Sequence, residues 1–142
     1  MPSDLVGLVS NNLLEFLAEI ICIWIDILED QMEKYDCCLA FGDNTSAIGW
    51  LHKSNFCNES QLPHEETARY LASLCIEHDL CIYGQHFKGI WNIVADCLSR
   101  DHHIPDNVLT ALLSILCPSQ MPQNFHISPV PQEIVSWLYR IL

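Results

Sequence analysis

Between Leu80 and Asp101 the chain changes its period, and that change limits what the whole can fold into. Leu80 to Tyr83 is a short apolar run that suits a buried strand, Gly84 and Gly89 punctuate a loop, and Ile93, Val94, Cys97 and Leu98 recur at helical spacing behind Asn92, a residue suited to cap a helix. The segment therefore reads as strand, loop, helix. That order places His86 just past the strand and Asp96 one turn into the helix, so a loop folding back would bring an imidazole and a carboxylate to a common edge.

The rest of the chain extends the same alternation. Asn12 has the character of an N-cap with Glu15 at the third helical position, and the helix it opens runs to about Glu29. Cys37 to Phe41 is an apolar run too short for a helix and fits a central strand. Ala47, Ile48, Trp50 and Leu51 mark a short helix from Thr45 to Lys53, Ser54 to Leu62 is a polar loop, and Pro63 precedes a patterned helix that ends near His78. Leu5 to Val9 has the character of a strand's tail. Strands separated by helices favour a parallel α/β sheet. Beyond the helix of Asp96 the texture changes: Val108 to Leu116 is a short amphipathic helix, Pro118 to Pro131 is a proline-rich linker or extended arm, and Glu133 to Leu142 is an apolar helix. The expected division is residues 1–103 as one α/β region and residues 104–142 as linker and C-terminal helices.

Composition narrows the class. A length of 142 residues with 50% hydrophobic content is enough for one domain with a core. Leu13 to Leu28 is apolar enough to raise the question of a membrane span, but Glu15, Glu19 and Asp26 interrupt it, and each acid at bilayer depth would cost about 2.5 kcal/mol or more. A buried helix with one polar stripe, Glu15, Glu19, Asp26 and Asp30, is the reading that follows, with no membrane partner and an intracellular location in cytoplasm or nucleus. The eight cysteines lie largely inside apolar runs (Cys22, Cys75, Cys81, Cys97) and lack paired zinc spacing, as expected of free buried thiols in a reducing compartment. Six Lys and Arg against eighteen Asp and Glu give a formal net charge of −12, which repels a phosphate backbone and counts against an autonomous nucleic-acid binder.

Three acids stand at the ends of elements: Glu15 in the first long helix, Asp43 after the first clear strand, and Asp96 in the late helix. Open parallel sheets gather their sites at the carboxyl ends of strands, where Asp43 falls. Carboxylates from separate elements are the hard oxygen ligands that Mg²⁺ takes, and a pair of such ions about 4 Å apart clamps both oxygens of a phosphodiester displacement. Each acid also has a simpler role available: Glu15 in a capping box with Asn12, Asp43 as the cap of the next helix, Asp96 near a helix N-terminus. His102 and His103 beside Asp101 are expected to be solvated rather than metal ligands, and Trp50, Trp91 and Trp137 to pack rather than stack on bases.

Read together, these segments resemble a known family. His86, Gly89, Asn92 and Asp96 are similar to the His-x-x-Gly-x-x-Asn-x-x-x-Asp signature that closes the ribonuclease H domain of reverse transcriptases, and Ala95-Asp96-Cys97-Leu98-Ser99-Arg100 resembles its retrotransposon variant. Asn12-Leu13-Leu14-Glu15-Phe16-Leu17-Ala18 resembles the helix carrying that family's glutamate, and Gly42-Asp43-Asn44-Thr45-Ser46-Ala47 the segment carrying its second aspartate. The resemblance spans about Ser10 to Asp101. It implies a ribonuclease H-like fold with a central, partly parallel sheet flanked by helices, truncated before its opening antiparallel meander, and followed by a helical C-terminal extension. It further implies two-metal hydrolysis of RNA in an RNA–DNA hybrid, with Glu15, Asp43 and Asp96 holding Mg²⁺ or Mn²⁺, His86 assisting proton transfer or product release, and a reverse transcriptase portion of the same polyprotein as partner. The family's first metal-bridging aspartate has no counterpart in the matched residues, Asp4 lacking its strand context, so weakened hydrolysis is expected. The alternative is a non-enzymatic remnant acting as a protein-interaction module through a sheet edge or the helix at Ile134 to Leu142.

Overall fold

A computed structural model of the chain describes residues 11–29, 31, 33, 36–52, 62–89 and 92–142. The strand character of Leu5 to Val9, the acid Asp4, the stripe residue Asp30, the polar loop at 54–61, Cys57 and Trp91 lie outside the described residues. The elements follow the alternation of the sequence: α1 (Asn11–Leu28), β1 (Cys37–Gly42), α2 (Thr45–His52), α3 (Leu62–His78), β2 (Cys81–His86), α4 (Ile93–Arg100), α5 (Asp106–Leu116) and α6 (Gln132–Ile141), with a short 3₁₀ turn at Pro118–Gln120. The described residues are thus mixed helix and strand, the strands forming a two-stranded parallel sheet.

β1 and β2 pair in parallel with Cys37 opposite Cys81 and Gly42 opposite His86. The strand order is a consequence of the connection, because two parallel neighbours need a long crossover, supplied here by α2 and α3. β2 runs further than the apolar run predicts. Gly84 is a mid-strand residue opposite Ala40 rather than the start of a loop, and His86 is the last strand residue rather than a loop residue. Paired backbone decides this, since Phe87 N–H still donates to the Gly42 carbonyl at 3.0 Å and keeps the ladder going past the apolar side chains.

α1 is the spine of the first unit. Leu13, Phe16, Leu17, Ile20, Ile23 and Trp24 recur at three- and four-residue steps and are buried, as an amphipathic stripe requires. Ala47 and Trp50 of α2, Leu71 and Leu74 of α3, and Ile134 and Trp137 of α6 complete the same core. Asn12 stands within α1, not before it, and its Oδ1 accepts from Asn44 Nδ2 at 2.9 Å, joining the first turn of α1 to the start of α2. α3 ends in a paired-carbonyl cap: Leu80 N–H donates to the Cys75 carbonyl at 2.9 Å around Asp79, whose φ of 52° is the left-handed conformation that turns the chain into β2.

The chain divides into two compact units, and not at the boundary after residue 103. One holds α1 to β2 and, from the far end of the sequence, α6; the other runs from Lys88 to Val130 and holds α4 and α5. α6 is therefore core, not an extension. Its Trp137 packs on Trp24 (ring centroids 5.7 Å) and on Tyr70 (5.0 Å), and Trp24 meets Tyr70 at 4.6 Å. Apolar spacing alone shows that a helix has a face to bury, not which surface receives it. In the second unit Leu109, Leu113 and Cys117 are buried, and no residue of α4 is.

Candidate functional site

The carboxyl ends of β1 and β2 bring chemistry together. Asp43 follows β1 directly, and His86, the final residue of β2, donates from Nε2 to the Asp43 carbonyl at 3.1 Å. That bond places the proton on Nε2 and leaves Nδ1 as the basic nitrogen of His86. Asn44 caps α2, its Oδ1 accepting from Ala47 N–H at 2.9 Å.

α1 lays its polar stripe beside this edge. Burial and then the charge of Asp43 push the Glu15 carboxyl above its ordinary range. Glu19, one turn on, is pushed up to about 7, by burial first and then by Glu15 and Asp43. The cause is steric as well as electrostatic: a Cβ added to Gly42 would lie 2.6 Å from Glu19 Oε1 and 2.9 Å from Ile48 Cδ1, so the glycine is what admits the Glu19 carboxylate to the sheet end. Asp43 raises both Glu15 and Glu19, and Glu15 raises Glu19, so the three acids stand close enough to repel one another. Carboxylates arranged in this way gain stability from a proton or a bound cation.

The structure thus brings Glu15, Asp43 and His86 to one end of the first unit. Asp96 belongs to the second unit, on the exposed face of α4, where Arg100 Nε meets its Oδ1 at 3.1 Å. An exposed pair of this kind contributes about 0.3–0.5 kcal/mol, little enough to yield to a better partner. Among the described residues, no group of three or more His, Cys, Asp or Glu side chains is arranged so as to hold a metal ion. Glu19 is the residue that sequence reasoning missed. Its signal was its place four residues after Glu15 on the polar stripe, a spacing that puts both acids on one helix face.

The remaining candidates have structural roles. Trp50 is buried edge-on against Phe16 at 5.5 Å and against His64 at 5.3 Å, and Trp137 belongs to the aromatic trio, so both pack as expected. His102 and His103 are exposed. A cavity of about 510 Å³ lined by Glu66, Tyr70, Trp137, Arg140 and Ile141 lies between α3 and α6, and none of the carboxylates of the sheet end lines it. The seven described cysteines are free, but Cys22, Cys37 and Cys81 are exposed where buried thiols were expected. Strand alternation explains two of them: Cys37 and Cys81 stand on the outward face of the sheet, with Leu39, Phe41 and Tyr83. No described helix is long and apolar enough to cross a membrane.

Comparison with known proteins adds no neighbour to this picture. No family model, curated protein or solved structure matches the chain.

Proposed function

We propose that the chain is a ribonuclease H-like fragment of a retroelement polyprotein, whose intact relatives hydrolyse RNA in RNA–DNA hybrids, and that its carboxylate site is weakened relative to theirs. The observation that carries the reading is the meeting of Glu15 from α1 with Asp43 at the carboxyl end of β1, beside His86 at the end of the parallel neighbour. Spacing in the sequence pairs these residues with the family's motifs, and Glu15 and Asp43 offer two of the hard carboxylate oxygens that Mg²⁺ or Mn²⁺ takes. Glu15 and Asp43 would hold the ion, and the resemblance assigns Asp96 to the same set. The metal would supply charge neutralisation at the phosphodiester and a more acidic water.

The protein's own contributions are positional. α1 fixes Glu15 through the buried Leu13 and Phe16 on either side of it, and Asn44 fixes the loop of Asp43 through its bonds to Asn12 and Ala47. His86 is oriented by the Asp43 carbonyl so that Nδ1 can accept a proton from water or return one to a leaving oxygen. The net charge of −12 opposes hybrid binding, and basic contacts would come from the reverse transcriptase portion of a longer protein.

The test is hydrolysis of a labelled RNA–DNA hybrid with Mn²⁺, comparing the chain with its Asp43→Asn and Asp96→Asn variants and with a form fused to an upstream reverse transcriptase segment. Slow cleavage that both substitutions abolish, and that the fusion raises, is the expected result. Absence of cleavage in every form would favour the second reading, a non-enzymatic protein-interaction module. That reading draws on the exposed outward sheet face of Leu39, Phe41 and Tyr83 and no longer on α6, whose apolar face is occupied by the chain's own core.

A further inference from the structure

We propose that Cys37 and Cys81 form a redox-modifiable dithiol, closing to a disulfide that staples β1 to β2 by exchange with a low-molecular-weight disulfide. The two residues are direct partners in the parallel register, and both are exposed on the same outward face. Neighbouring strands lie about 4.8 Å apart, and directly opposed residues therefore fall inside the roughly 4.4–6.8 Å Cα separation that a disulfide spans. Their side chains project from that one face at the same level of the ladder. Tyr83 stands two residues along the same face. Cys38 and Cys75 are nearby, but Cys38 alternates to the inward face of the sheet and Cys75 lies on α3.

The chemistry balances as two exchanges. Either thiol can attack first; when Cys81 does, it loses its proton to solvent base. Its sulfur bonds to one sulfur of the small disulfide, whose S–S bond breaks and releases one small thiolate. Cys37 then loses its proton to solvent base and attacks the Cys81 sulfur, forming the protein disulfide and expelling the second small thiolate. The protein's two thiols are oxidised, and one small disulfide is reduced to two thiols. The staple joins strands separated in sequence by α2 and α3, so it removes much freedom from the unfolded chain and should raise the melting temperature on the order of 5–10 °C.

The experiment incubates the full chain with glutathione disulfide or with reduced glutathione, maps cysteine-containing peptides by mass spectrometry and records melting curves. The expected result is a Cys37–Cys81 linked peptide, a melting temperature that rises on oxidation and returns on reduction, and loss of both in Cys37→Ser, while a Cys38→Ser/Cys75→Ser variant retains them. A separate reading on the reduced wild-type chain uses phenylarsine oxide, which bridges a pair of adjacent thiols and should link the Cys37 and Cys81 peptides. A glutathione adduct that persists on one cysteine, a link to Cys38 or Cys75 instead, or an arsenical that bridges neither strand would overturn the proposal.

Discussion

Glu19 is the residue on which the carboxylate edge turns. Its folded value of about 7 stands above its ordinary 4.5, so the native state holds the proton more tightly than the unfolded chain does. The sign follows from linkage: the contribution is most favourable below about pH 4.5, is lost as pH rises towards 7, and stays lost above it. A full conversion at about 1.4 kcal/mol per pH unit would be roughly 3 kcal/mol; Glu19 is only half-buried, and solvent screening reduces this to about 1–2 kcal/mol. Glu19→Gln should therefore stabilise the protein by about that amount at pH 8 and by almost nothing at pH 4.5, measured as urea midpoints at the two values. An equal gain at both would show that packing, not charge, is responsible. Gly42→Ala probes the same point from the sheet side. A methyl group 2.6 Å from Glu19 Oε1 and 2.9 Å from Ile48 Cδ1 must move both, and a loss of about 1 kcal/mol is expected. Combining it with Glu19→Ala should recover part of that loss, and strict additivity would mean that the two sites do not touch.

At the scale of elements, α6 is the clearest case of a helix whose role depends on its neighbours. Ile134 and Trp137 are buried against the faces of α1 and α3, and Trp137 shares an aromatic cluster with Trp24 and Tyr70. Trp137→Ala should cost about 3–5 kcal/mol in chemical denaturation, the range for emptying a large buried aromatic site. It should also reduce the near-UV circular-dichroism signal of the edge-on Trp24–Trp137 pair. A loss under 1 kcal/mol would mean that α6 is held weakly and that its apolar face is open to another partner. The sheet is the opposite case. Two strands alone make a marginal element, and this pair is held on its inward face by α1 and α2 while its outward face keeps Leu39, Phe41 and Tyr83 in solvent.

For the whole molecule, the acidic excess and the grouped carboxylates lead to one thermodynamic expectation. A divalent cation that binds the folded state and not the unfolded one raises stability by mass action, so millimolar Mn²⁺ or Mg²⁺ should raise the melting temperature at pH 7.5. Asp43→Asn should remove most of that rise, because it subtracts the carboxylate that couples to both Glu15 and Glu19. Lowering the pH to 5 should also reduce it, since Glu19 then holds a proton in place of the ion. A shift that is insensitive to Asp43→Asn and matched by an equivalent ionic strength of NaCl would be general screening of the net charge of −12, and the site reading would fail.

The order of elements was legible in the sequence because periodicity is local physics: a five-residue apolar run cannot make a helix, and α1 carries its stripe whatever it packs against. The same holds for Asp43 at a strand's carboxyl end and for Glu15 on the first helix, each placed by its own element. What residues far apart in the chain do to one another was not legible. Apolar spacing marked α6 as amphipathic, but only packing decided that Trp24 and Tyr70 would receive Trp137. Backbone pairing, not side-chain character, carried β2 through Gly84 to His86. The absence of a Cβ at Gly42 reads in sequence as a turn signal; in the fold it is the space that admits Glu19, and it makes an ordinary surface acid of α1 into the most perturbed carboxyl at the sheet end. Cys37 and Cys81 show the same limit, since each sits in an apolar run that implies burial, and only the parallel register sets them side by side on the outward face. The sequence determined which elements form, through local periodicity and turn chemistry. Tertiary structure decided which side chains meet, because burial and proximity depend on contacts between segments that no local pattern encodes.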